Sequence, residues 1–154
     1  MHYLLTIIMG TSAVIFSFCI GFFFQNKVPR SVTDRWFLLR SFEKDGKAYK
    51  ILGIKLFKDF LIRTGYNDML AKGLKVSNSS KLELRELILK MQQAELIHLL
   101  GLGIAFAIAF ISLIVKRFDL FVTINLLNIP LNLYPVFLQR YNRLRINHIL
   151  RNKL

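Results

Sequence analysis

Residues 96–138 read LIHLLGLGIAFAIAFISLIV, then KRFD, then LFVTINLLNIPLNLYPVFL. About 20 apolar residues cross a hydrocarbon core ~30 Å thick at ~1.5 Å rise per residue, and each run comes close to that length. The link between them is only Lys116, Arg117, Phe118 and Asp119, so the runs form an antiparallel helical hairpin in a membrane. The stretch that enters the first run, Gln93-Ala94-Glu95-Leu96-Ile97-His98, and the one that leaves the second, Gln139-Arg140-Tyr141-Asn142-Arg143-Leu144-Arg145, therefore lie at the same membrane face.

Working outward, Leu4–Phe24 is a third apolar run. Basic residues follow it rather than precede it, and no small-residue cleavage site is evident, so it reads as a retained span and not a signal peptide. Of 22 Lys and Arg, 15 fall between Lys27 and Lys90, two in the 116–119 turn and five from Arg140 onward. Basic residues gather on the cytoplasmic side, which sets the N-terminus outside and the C-terminus inside. The expected organisation is one all-α membrane domain with spans at 3–24, 96–115 and 120–138. Cytoplasmic and interfacial helices are expected over 25–95, and a basic tail over 139–154.

Composition agrees with a chain in lipid. Hydrophobic residues make up 54% of the chain, 14 of them phenylalanine, more than a soluble domain of 154 residues needs for its core. The net charge of +13 comes with no zinc-finger, helix-turn-helix or ribonucleoprotein signature, so it points to anionic lipid headgroups and not to nucleic acid. Cys19 is the single cysteine and lies in an apolar run, which excludes a disulfide framework.

Between the first two spans, Tyr49, Leu52, Leu56 and Phe60 recur at helical spacing opposite Lys50, Lys55, Lys58, Asp59 and Arg63, with Gly53 as a breaker. That pattern is an interfacial amphipathic helix, and Trp36 with Phe37 reads as a further interfacial anchor. Residues 73–80 read as a loop. Ser80-Lys81-Leu82-Glu83 then fits a capping box, so a long helix should start there and run toward Val115.

Along that helix Leu84, Ile88, Met91, Glu95, His98 and Leu102 form one stripe, and Glu95 and His98 interrupt its apolar character. Residues three apart are neighbours on a helix surface, which suits a general base with a carboxylate orienting it. A structural ion pair at the membrane boundary fits the same spacing. Gly101, Ala105, Ala109 and Ser112 continue as small residues that admit another helix, expected to be the third span. On that span Asn125, Asn128, Asn132, Gln139 and Asn142 share a face, broken by Pro130 and Pro135. The amides either line a cavity for a hydroxyl-rich group or bond carbonyls that the prolines free.

Arg140, Arg143 and Arg145, with Tyr141 among them, suit phosphate or carboxylate, although a positive-inside stop signal also explains basic residues there. Lys58 is a further candidate for the same anion. His148 reads as a solvated tail residue. One Glu-x-x-His pair falls short of the two that a di-iron bundle requires, so no metal site is expected.

The Ala94–His98 stretch, the proline- and asparagine-containing span after it and the Gln139–Arg145 motif together resemble the glycosyl-4,4'-diaponeurosporenoate acyltransferase family. These are small bacterial membrane proteins of staphyloxanthin-type carotenoid synthesis. Phe42-Glu43-Lys44 with Gly46-Lys47, and Ile54–Asp59, add to the likeness, which covers roughly Pro29 to the end. Leu144 and Phe57 depart from it, standing where relatives often carry proline and tryptophan.

The resemblance implies a multi-pass protein of the bacterial plasma membrane. Its reaction would transfer a fatty acyl group, from a donor such as acyl-coenzyme A and without a cofactor, to a sugar hydroxyl of a glycosylated carotenoid. The other function class that fits is a non-catalytic subunit that binds anionic lipid or scaffolds a biosynthetic complex. Self-association or association with partner membrane enzymes is compatible with both. A transporter fits less well, because three spans without repeats make a poor pathway unless the chain oligomerises.

Overall fold

A span in hydrocarbon has no water for its amides and must close its own hydrogen bonds, which a helix does. The computed structural model describes residues 2–43, 45–64 and 80–152 and contains no strand among them. The helices are α1 (His2–Phe24), α2 (Arg30–Phe37), α3 (Lys47–Ile51), α4 (Ile54–Arg63), α5 (Lys81–Ile114), α6 (Phe118–Asn128) and α7 (Tyr134–Asn152). A π-helical turn at Ile129–Leu133 runs from α6 into α7. Three helical stretches, Tyr3–Lys27, Lys81–Ile114 and Phe118–Arg151, are long and apolar enough to cross a membrane. Residues 73–79 of the loop expected at 73–80, Lys44 and Lys153 lie outside the described residues.

The second and third spanning helices are longer than the apolar runs, because capping and packing rather than hydropathy end them. Ser80 N–H donates to the Glu83 carboxylate at 2.7 Å and Glu83 N–H to Ser80 Oγ at 3.2 Å, so the expected capping box starts α5. At its other end Lys116 is left-handed (φ 60°), and the amides of Lys116 and Arg117 return to the carbonyls of Leu113 and Ser112. That is a Schellman cap, which satisfies orphan carbonyls and turns the chain toward α6.

The chain divides into two compact units. One comprises Met1–Trp36 and Gln93–Val136. Its core is Val14, Ala105, Ala109, Leu120 and Ile124, so the small-residue stripe of α5 meets α1 as well as the third span. A Cβ on Gly21 would stand 2.5 Å from the Ile97 carbonyl oxygen, and one on Gly101 would stand 2.9 Å from Asn132 Oδ1; only glycine allows these approaches. Thr6 Oγ1 donates to Asp119 at 2.8 Å, which puts the start of α1 beside the hairpin turn. Outward faces stay apolar: Phe106, Phe110 and Ile111 are all more than half exposed, as lipid contact requires.

The other unit comprises Phe37–Gln92 and Phe137–Leu154. Its buried apolar residues include Tyr49, Ile54, Leu84, Leu144 and Ile146. Gly53 is left-handed (φ 69°) and separates α3 from α4, as its place in the sequence suggests. The stripe expected across it divides accordingly: Tyr49 is buried, while Leu56 and Phe60 remain 75% and 60% exposed.

Candidate functional site

The residues singled out by sequence fall into two clusters, one in each unit. In the first, Glu95 is fully buried at 0% exposure, and its Oε1 accepts a 2.8 Å hydrogen bond from Trp36 Nε1. Trp36 is thus more than an interfacial anchor: its indole holds a buried carboxylate. Nothing in the local sequence pattern links the two, which stand 59 residues apart.

Three residues on, the His98 ring finds its partners across the helix packing. Nδ1 lies 3.3 Å from Asn132 Oδ1, the ring reaches the backbone carbonyl of Leu131, and Phe18 packs against it at 5.1 Å between centroids. Asn132 Nδ2 donates to Asn128 Oδ1 at 2.8 Å, and Asn128 Nδ2 donates to the Leu102 carbonyl on α5 at 3.2 Å. Both asparagines are 1% exposed. Asn125 is half-buried and bonds within its own helix, to the Phe121 carbonyl at 2.7 Å. The amide face therefore serves several partners, and the part of it at Asn128 and Asn132 is aimed at a histidine.

Pro130 and Pro135 explain the local backbone. Neither has an N–H to give to the preceding turn, so the α-helical bonds to the Leu126 and Leu131 carbonyls are lost. The helix widens to π over Ile129–Leu133, and the Tyr134 amide bonds Ile129. The Leu131 backbone, whose carbonyl loses its α-helical donor at Pro135, lies beside the His98 ring.

In the second cluster, Glu43 is 3% exposed and accepts from four donors. They are the Arg40 amide at 2.6 Å, Tyr49 Oη, and Arg140 Nε and Nη2 at 2.6 and 2.8 Å. Burial alone raises a carboxyl pKa, but here the bonds from Arg140, Tyr49 and the Arg40 amide outweigh it and hold Glu43 down at about 2. Burial, then the bond to anionic Glu43, pushes the Tyr49 phenol up. Arg140 Nη2 also donates to the Leu38 carbonyl at 3.2 Å, and Arg143 Nη1 to the Phe37 carbonyl at 2.9 Å with its guanidinium over the Phe37 ring.

The remaining motif residues are more open. Tyr141 packs on Tyr49 at 5.8 Å, and exposed Arg145 stands over the Tyr141 ring at 6.0 Å. Lys58 is half-buried; burial and then the nearby charge of Arg145 lower its pKa. Gln139 and Asn142 are half-buried on α7. His148 is exposed beside a cavity of about 340 Å³ that Leu144 and Arg151 also line. Among the described residues no group of three His, Cys, Asp or Glu side chains gathers to hold a metal.

The arrangement is a histidine steered by buried amides in one unit and an arginine motif built around a buried glutamate in the other. A family model described as glycosyl-4,4'-diaponeurosporenoate acyltransferase matches residues 33–152, a span that contains both clusters. The chain belongs to that family. Membership makes it an acyltransferase-family membrane protein of carotenoid biosynthesis, consistent with its three membrane-length helices. None of the curated proteins and none of the solved structures compared with the chain matches it.

Proposed function

We propose that the protein moves a fatty acyl group from a thioester donor, such as acyl-coenzyme A, to a sugar hydroxyl of a glycosylated carotenoid or similar lipid acceptor. His98 is the general base. It takes the hydroxyl proton as the sugar oxygen bonds to the acyl carbon; the carbon–sulfur bond then breaks, and the leaving thiolate recovers the proton from the imidazolium. Glu95, one turn before His98 and anchored by Trp36, stabilises the imidazolium while it exists. Asn125 flanks the acceptor's polar head, and the fully bonded Asn128 and Asn132 serve the acceptor by holding His98.

Arg140 and Arg143 contribute by holding Glu43 and the carbonyls of Phe37 and Leu38. The donor's anionic part falls to Lys58 and to Arg145, which stands over the Tyr141 ring and whose charge helps to lower the Lys58 pKa, with Gln139 and Asn142 as further polar groups on the same helix as Arg145. The reaction is placed at the cytoplasmic face of a bacterial plasma membrane, with the N-terminus outside. The support is the division of basic residues, twenty on one side of the spans and two on the other.

The observation that carries the reading is an imidazole set among buried amides within a chain of an acyltransferase family. The test is lipid and pigment mass spectrometry of the native host with the gene deleted, then complemented with wild type or His98→Ala. Wild type should restore the acylated glycosyl product, and His98→Ala should leave the unacylated precursor, with transfer reduced about 10²- to 10⁴-fold. Full restoration by membrane-inserted His98→Ala would favour the lipid-binding scaffold instead.

A further inference from the structure

We infer that the π-helical turn of the third spanning helix is a tautomer clamp for His98, with Asn132 as its positioning residue and Asn128 as the anchor of Asn132. The inference rests on His98 being the base, and the experiment below separates the two ideas.

Start at the far end of the chain of amides. A backbone carbonyl accepts and cannot donate, so Asn128 must offer its NH₂ to Leu102, which leaves its Oδ1 facing Asn132. Asn132 in turn must offer its NH₂ to that oxygen, which leaves Asn132 Oδ1 for the histidine. With both amides 1% exposed, water has little access to scramble this order. The Leu131 carbonyl, which loses its α-helical donor at Pro135, is a second acceptor offered to the ring. A neutral imidazole facing acceptors keeps its hydrogen on that side. Nδ1 therefore carries the proton, and the lone pair sits on Nε2.

This order matters because a free histidine side chain favours the opposite tautomer. A base whose lone pair points into the protein cannot take a substrate proton, and in the serine-protease triad the wrong tautomer alone costs about 10⁴-fold in kcat. In this chain the role given by a carboxylate in that triad falls to an asparagine. Glu95 meanwhile is held by Trp36. Gly101 is part of the same device: a Cβ there would meet Asn132 Oδ1 at 2.9 Å and push the amide off the ring.

The measurement is ¹⁵N NMR of His98, with the full-length protein in nanodiscs and His2 and His148 replaced by glutamine to leave one imidazole. Acyl transfer is assayed on the same samples. Wild type should show the Nδ1–H tautomer. Asn132→Ala should shift the ring toward Nε2–H and lower kcat about 10²-fold or more with KM little changed. Asn132→Asp keeps an acceptor toward the ring but gives up the NH₂ that Asn128 holds, so it should keep the tautomer with activity between those of wild type and Asn132→Ala.

Pro135→Ala, which returns an amide to the Leu131 carbonyl, should weaken the preference without removing it, and this guards against Asn132→Ala failing to fold. A wild-type ring in the Nε2–H form overturns the clamp whatever the activity. An Nδ1–H ring that Asn132→Ala shifts, with transfer unaffected, keeps the clamp and overturns His98 as the base.

Discussion

Glu43→Gln tests whether the arginine motif is held by a buried charge. In the wild type the carboxylate takes two bonds from Arg140, one from Tyr49 and one from the Arg40 amide, all at 3% exposure. Two routes give the magnitude. A carboxyl held at about 2 instead of 4.5 corresponds to about 3 kcal/mol at ~1.4 kcal/mol per pH unit. Removing one partner of a buried ion pair costs ~3–5 kcal/mol by an independent rule.

The sign follows from the direction of the shift. A depressed carboxyl contributes its full stability above its unfolded pKa of 4.5 and loses it as pH falls toward about 2. The assay is thermal unfolding in detergent micelles followed by circular dichroism, from pH 7 down to pH 2, with hydrogen exchange read over 37–63 and 137–152. Wild type should lose about 3 kcal/mol across the acid window. Glu43→Gln should begin that much lower and lose about 3 kcal/mol less than wild type across the window, what remains belonging to other carboxyls such as Asp45. A Glu43→Gln protein whose stability falls in parallel with wild type below pH 5 would show that Glu43 is not the titrating group and refute the reasoning.

Gly21→Ala should destabilise by ~1–3 kcal/mol, because the new methyl stands 2.5 Å from a backbone oxygen that has no rotamer in which to retreat. Gly103→Ala, with open space around it, should be neutral or stabilising in the same melts. Ser80→Ala removes one half of the capping box and should cost ~1 kcal/mol, seen as faster amide exchange over 81–84. Lys116→Gly should raise the melting temperature, by the ~1 kcal/mol that a left-handed residue with a side chain forfeits; a lower value would mean that the lysine side chain has a compensating partner.

The sequence was most legible where a property is local. Three spans, the 116–119 hairpin, the Ser80 cap and the Gly53 break all follow from residues within a turn or two of one another. Partner choice was not legible, because helical periodicity says which residues share a face and nothing about what lies opposite. Glu95 and His98 do share a face, yet their bonds go to Trp36 and Asn132. Arg140 looked like an anion binder, and its anion is Glu43, 97 residues earlier in the chain. Glu43 is one of seven acids among the fifteen basic residues of 27–90, so its negative charge was the signal available for that pairing. It becomes decisive only once the fold closes.

The third spanning helix shows why such placements point to function. A span of leucine and isoleucine alone would cross hydrocarbon without two prolines, each of which costs an interior helix ~3 kcal/mol or more. It would also avoid two buried asparagines, whose amides need partners wherever water is absent. In this chain the two costs offset each other in part: the turn loosened by Pro130 and Pro135 carries Asn132, and the Leu131 backbone of that turn lies beside the His98 ring. Hydrophobic thickness requires none of this. The helix is irregular where its polar atoms converge on an imidazole and regular toward the hairpin turn, so the irregularity belongs to the site and not to the crossing.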